Sequence, residues 1–116
     1  MTPYQEAMLL IRRHPESDDA LGLAKLVLSL WNAEYSFAFR ECITGLDDLP
    51  TAIAVRVVGQ FARLGEDLEL QEIGAELCEM YPRMGDAATA CSQVRAELER
   101  KWRVEDAAND TQVDGV

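Results

Sequence analysis

Four glutamates carry the spacing in this chain that most suggests a functional surface: they stand three, four and three residues apart, at Glu69, Glu72, Glu76 and Glu79. In an α-helix these intervals place all four carboxylates on one face, with neighbours about 5–6 Å apart. Paired carboxylates also serve acid–base catalysis in glycosidases. A run at helical spacing is more typical of a solvated face. We interpret the four as partner-binding residues, with a face that only keeps the protein soluble as the alternative, and expect no catalytic residue among them.

An aromatic segment is the second candidate binding surface. Tyr35 and Phe37 lie between Trp31 and Phe39. Aromatic side chains contribute strongly to the binding energy of protein interfaces. We predict Tyr35 and Phe37 as further partner-binding residues, and core packing between two helices is the alternative.

The other reactive side chains do not form a recognisable site. His14 is the single histidine, and the three cysteines are odd in number without a CxxC spacing. No phosphate-binding loop, dinucleotide-binding motif, nucleophile elbow, zinc-protease motif or EF-hand loop occurs. The sequence therefore predicts no metal, no cofactor and no catalytic residue. The cysteine pattern favours a reducing, cytoplasmic location.

The charge balance narrows the class of partner. Twenty-one acidic residues against eleven basic ones give a net charge of −10. Nucleic-acid binding relies on cations that contact phosphate, and anionic membrane surfaces also attract cations. We expect neither partner, and instead expect a basic protein drawn by the acidic field.

Helices must position the acidic and aromatic candidate residues. The most apolar of the predicted helices covers residues 21–31. The four exceptions in and just after this segment are Gly22, Lys25, Ser29 and Asn32, and they fall on one line of a helix. The pattern predicts a central helix that is buried except along this solvent-exposed line.

Capping residues, prolines and apolar periodicity predict the remaining helices. They cover approximately residues 2–13, 36–45, 50–64, 67–81 and 87–104. In the last helix we expect five residues to point inward: Ala87, Cys91, Val94, Leu98 and Trp102. The predicted fold is all-α, a compact single-domain bundle of five or six helices over residues 1–104. Residues 105–116 are predicted to form a disordered acidic tail.

One segment resembles known proteins. The run LSLWNA at residues 28–33, followed by FAF at 37–39 and GLD at 45–47, is similar to a stretch of small uncharacterised proteins of bacterial phages and mobile elements. The similarity covers about 20 residues. It implies an accessory protein of a mobile element, a class in which stoichiometric inhibitors and adaptors are common. It implies no activity, cofactor or catalytic residue.

The resulting functional hypothesis is a non-enzymatic, acidic protein-binding module. With the resemblance, the expected role is inhibition of a basic nucleic-acid-binding host protein, such as a defence complex. Three alternatives stay open: an immunity protein or antitoxin, a structural homodimer built on exposed apolar helix faces, and a carboxylate-based hydrolase.

Overall fold

The computed structural model describes residues 1–35 and 37–114, with side chains up to residue 109. Within this part, the chain forms helices and no strand, which confirms the all-α prediction. The helices are α1 (Pro3–Arg13), α2 (Asp18–Trp31), α3 (Phe39–Ile43), α4 (Asp48–Leu64), α5 (Leu68–Met80) and α6 (Pro82–Asp114).

The first two helices begin as their capping residues predict. The hydroxyl of Thr2 accepts a hydrogen bond from the backbone N–H of Gln5, whose side chain accepts one from the N–H of Thr2. Ser17 caps α2 by accepting a hydrogen bond from the N–H of Ala20. These bonds satisfy backbone donors that have no partner within the helix.

Helix α2 lies at the centre of the bundle and packs against α1, α3, α4 and α5. Its buried residues are Ala20, Gly22, Leu23, Ala24, Leu26, Val27 and Leu28. The apolar side of α1 and the inner faces of α4 and α5 close the core around them. The prediction that residues 21–31 supply the central helix is confirmed.

The solvent-exposed line predicted along α2 is wrong, because α3 covers it. A Cβ atom on Gly22 would lie 2.6 Å from the carbonyl oxygen of Cys42, so only glycine permits this approach. Further along, the Nζ of Lys25 lies 3.1 Å from a carboxylate oxygen of Glu41 on α3. The line is thus a docking surface for a short helix. The cap predicted at Ser36 lies outside the described residues.

Helices α4 and α5 start and end close to their predicted positions. Gly65 ends α4 with a positive φ of 65°, and Asp67 caps α5 by accepting a hydrogen bond from the N–H of Leu70. Helix α4 is buried on one side only, since Val55 and Leu64 are well exposed. Its outer face has no helix packed over it within the described structure.

Helix α6 differs most from prediction. It begins at Pro82, continues past the predicted end near residue 104, and reaches Asp114. It packs against α5, every described residue beyond Ser92 is exposed, and the longest dimension of the molecule is 63 Å. The prediction of a disordered tail is wrong for residues 105–109, which are helical and exposed; beyond residue 109 no side chains are described.

The inward face predicted for α6 is also wrong. All five residues assigned to it, Ala87, Cys91, Val94, Leu98 and Trp102, are exposed. Ala88 is buried instead, one position around the helix. The apolar periodicity was present, but no second element lies against that side of the helix in the described structure.

Candidate functional site

The candidate site is the outer side of α5, where the four predicted glutamates lie. Burial of Leu70, Ile73, Gly74 and Leu77 fixes the rotation of this helix against α2. The glutamates consequently point away from the core. Glu69 and Glu76 are half-buried, whereas Glu72 and Glu79 are exposed.

The two half-buried glutamates are tied to α1. Glu76 accepts two hydrogen bonds from Arg12, at 2.8 Å from Nε and 2.6 Å from Nη2. The Arg12 guanidinium lowers the pKa of the Glu76 carboxyl, chiefly through this hydrogen bonding. Glu69 accepts a hydrogen bond of 2.7 Å from the hydroxyl of Thr2. These two carboxylates therefore hold α5 against α1, and part of their hydrogen-bonding capacity is already used within the chain.

The two exposed glutamates remain available to a partner. Within the described residues, the carboxylates of Glu72 and Glu79 have no hydrogen bond or ion pair. They are two helical turns apart, about 10 Å along the axis. Ala75 lies between them, and the strongly exposed Leu68 precedes them on the same line. The outer line of α5 thus combines two free carboxylates with apolar surface.

The predicted aromatic residues are held in packing contacts. The hydroxyl of Tyr35 lies 3.1 Å from the Sγ of Cys78, and its ring meets Trp31 edge to face at 5.6 Å. Hydrogen bonding to Cys78 is the main cause of the raised pKa of Tyr35, followed by burial. Phe37 is half-buried against the core, with the Nζ of Lys25 5.9 Å from its ring centre.

Within the aromatic segment, the exposed aromatic side chain belongs to neither of the two predicted residues. Phe39, at the start of α3, is 63% exposed. It lies at the end of the aromatic segment and is the first residue of α3. In this helix Cys42 is buried, whereas Phe39 and Ile43 are exposed. A helix of five residues is too short for apolar spacing to predict which of its side chains are buried.

The structure also contains a groove that the sequence did not predict. It lies between α1 and α4 and has a volume of about 690 Å³. Leu9, Leu49 and Ile53 line it, and an ion pair between Glu6 and Arg56 lies at its edge. In the sequence, the groove could have been suspected from Leu9, an apolar residue that lies off the buried face of α1.

The described part of the chain contains neither a metal-binding cluster nor a helix suited to span a membrane. Across residues 1–35 and 37–109, no three histidine, cysteine or carboxylate side chains come together as a metal site would require. None of the described helices combines the length and apolar content needed to cross a membrane. Comparison with family models, curated proteins and solved structures gave no match to this chain.

Proposed function

We propose that this protein is a non-enzymatic binding module whose α5 outer line receives a basic partner protein. The observation that supports the proposal most directly is the pair Glu72 and Glu79. Both are exposed, both have no partner within the described structure, and both lie on a helix fixed to the core. Carboxylates held this way can meet cations without first breaking an internal ion pair.

The charge around α5 strengthens the attraction. Residues 66–86 contain seven acids, namely Glu66, Asp67, Glu69, Glu72, Glu76, Glu79 and Asp86, against the single base Arg83, a net charge of −6. Arg12 on α1 offsets one of these through its pair with Glu76. The remaining field accelerates encounter with a basic surface and repels acidic ones.

The biological role that fits this surface is stoichiometric inhibition. A basic nucleic-acid-binding protein, such as a host defence complex, presents cations that normally contact phosphates. An acidic helix can occupy such a site, and the resemblance of residues 28–47 to phage and mobile-element proteins supports this role. An antitoxin or immunity protein would use the same surface against a basic toxin.

The proposal is tested by reversing the two exposed charges. The variant Glu72→Lys/Glu79→Lys is compared with the control Asp47→Lys/Asp48→Lys, whose residues are exposed at the start of α4. Each variant changes the net charge from −10 to −6, since each substitution adds two charges. Binding of a fluorescent oligoarginine peptide is measured by anisotropy at several salt concentrations.

We expect the α5 variant to bind the peptide about tenfold more weakly than the control, with a shallower salt dependence. Circular dichroism should show both variants folded. Equal losses in the two variants would mean that only net charge matters, and the assignment to α5 would fail. If the assignment to α5 is correct, a host protein captured by the parent chain should be lost by the α5 variant and retained by the control.

A further inference from the structure

The far part of α6 presents an apolar line with no cover in the described structure. Val94, Leu98 and Trp102 are spaced four residues apart and are 56%, 41% and 53% exposed. Helix geometry places them on one side. Beyond Ser92, every described residue of the helix is exposed. A tryptophan in such a line is typical of an interface centre.

Charged residues beside this line are arranged so that the helix complements itself when reversed. Glu97 and Lys101 are one turn apart and lie on the same flank of the apolar line. In an antiparallel pair related by a two-fold axis, the same flank of each helix faces its counterpart. With the axis near Glu99, Lys101 of each chain comes level with Glu97 of the other.

We propose that two copies of this chain associate through their α6 helices, antiparallel and centred near Glu99. In this register each Trp102 lies level with the gap between Val94 and Leu98 of the other copy. Such placement of a large side chain between two residues of a facing helix is the packing seen in helix pairs. The reciprocal Lys101 and Glu97 contacts flank this apolar centre on both chains.

Electrostatics favours the antiparallel over the parallel arrangement. In a parallel pair the flanks that carry Glu97 and Lys101 would lie on opposite sides of the interface, so the reciprocal contacts between these residues would be lost. A parallel pair would also bring together the two bundles formed by residues 1–81, each with 14 acids and 6 bases, a net charge of −8. The antiparallel arrangement keeps the two acidic bundles at opposite ends and removes most of this repulsion.

Sedimentation velocity of the full chain over a range of concentrations tests the association. We expect the parent to be dimeric, Leu98→Glu to be monomeric, and Val104→Glu to behave as the parent. Val104 is a matched control because it is 70% exposed on the same helix but off the apolar line. A monomeric parent at all concentrations would overturn the proposal and leave this line to a helix of another protein.

A charge exchange tests the direction of the helices. Lys101→Glu and Glu97→Lys should each weaken the dimer at least about threefold, as expected when an opposite-charge contact becomes a like-charge one. The double variant Glu97→Lys/Lys101→Glu should recover the parental dissociation constant. In a parallel pair these flanks do not face each other, so failure of the double variant to recover would overturn the antiparallel arrangement.

Folding of the variants is checked separately, because a misfolded chain would also lose the dimer. All four substituted residues are exposed in the single chain, so circular dichroism should match the parent. The oligoarginine assay provides an independent control, since α5 is untouched. Leu98→Glu should bind the peptide as the parent does, whether or not the two chains associate.

Discussion

Helices α2 and α6 both carry apolar residues at helical spacing, yet one forms the core and the other projects from it. In α2, Leu23 and Leu28 are fully buried. In α6, Leu98 and Trp102 remain 41% and 53% exposed. Four helices surround α2, whereas α6 contacts α5. The number of neighbours, rather than the apolar spacing, separates the two helices.

The composition between the apolar residues explains this difference. In α2 the apolar residues cover most of the circumference, so the helix is stable only inside a bundle. In α6 a single narrow line is bordered by charged residues such as Glu97 and Lys101. A line of this width suits a helix pair more than a helix enclosed on several sides. The share of the helix circumference covered by apolar residues therefore predicts better than their spacing whether a helix is buried in the core.

Shortening one leucine in each of the two helices should change the stability of the fold by very different amounts. Leu28→Ala in α2 should lower the free energy of unfolding by about 2–5 kcal/mol, because it leaves a cavity in the core. Leu98→Ala in α6 should change the unfolding of the single chain by no more than about 0.5 kcal/mol. Urea unfolding at concentrations where the chain is monomeric measures both. Similar losses in the two variants would refute the contrast.

A second, smaller effect concerns how closely helices approach in the core. A Cβ atom on Gly74 in α5 would lie 2.1 Å from Cγ of Trp31, whereas Gly59 in α4 has nothing within 4 Å of that position. Gly74→Ala should therefore destabilise by about 1–3 kcal/mol through overpacking. Gly59→Ala should stabilise by about 0.5–1 kcal/mol, because alanine loses less backbone entropy in a helix. Thermal unfolding of both variants checks the opposite signs.

Much of the fold could be predicted from the sequence because its signals are local. Thr2, Ser17 and Asp67 cap helices where their hydrogen-bonding chemistry predicts. Gly65 ends α4 because it adopts a positive φ that other residues avoid. The buried face of α5 follows from strict periodicity. Each of these inferences needs only residues within a few positions of one another.

The errors arose where a second element decides the outcome. Whether the line through Gly22 and Lys25 is exposed to solvent depends on α3, whose Glu41 is 16 residues from Lys25. Whether Glu76 is free depends on Arg12, which is 64 residues away. The exposure of Leu98 depends on whether another element of the described structure lies against α6, which the spacing of its apolar residues alone does not predict. In the candidate site, the sequence therefore located the acidic face but not which of its carboxylates are free.

The smallest expected change in the free energy of unfolding distinguishes the carboxylates of α5 that bind α1 from those without a partner in the described structure. Glu76 has a lowered pKa, so its pair with Arg12 stabilises the fold above the ordinary glutamate pKa of about 4.3. This stabilisation is lost as the pH falls through the lower folded-state pKa. Because the side chains of Arg12 and Glu76 are 54% and 38% exposed, Glu76→Gln should cost less than about 1 kcal/mol at neutral pH. The gap between parent and variant should close in acid, as the parent carboxylate becomes protonated and matches the neutral amide.

Glu72→Gln, which removes a carboxylate without a partner in the described structure, should show no such gap at either pH. Chemical unfolding at neutral and acidic pH measures both variants, and an equal loss in the two would mean that α5 has no division between structural and available carboxylates.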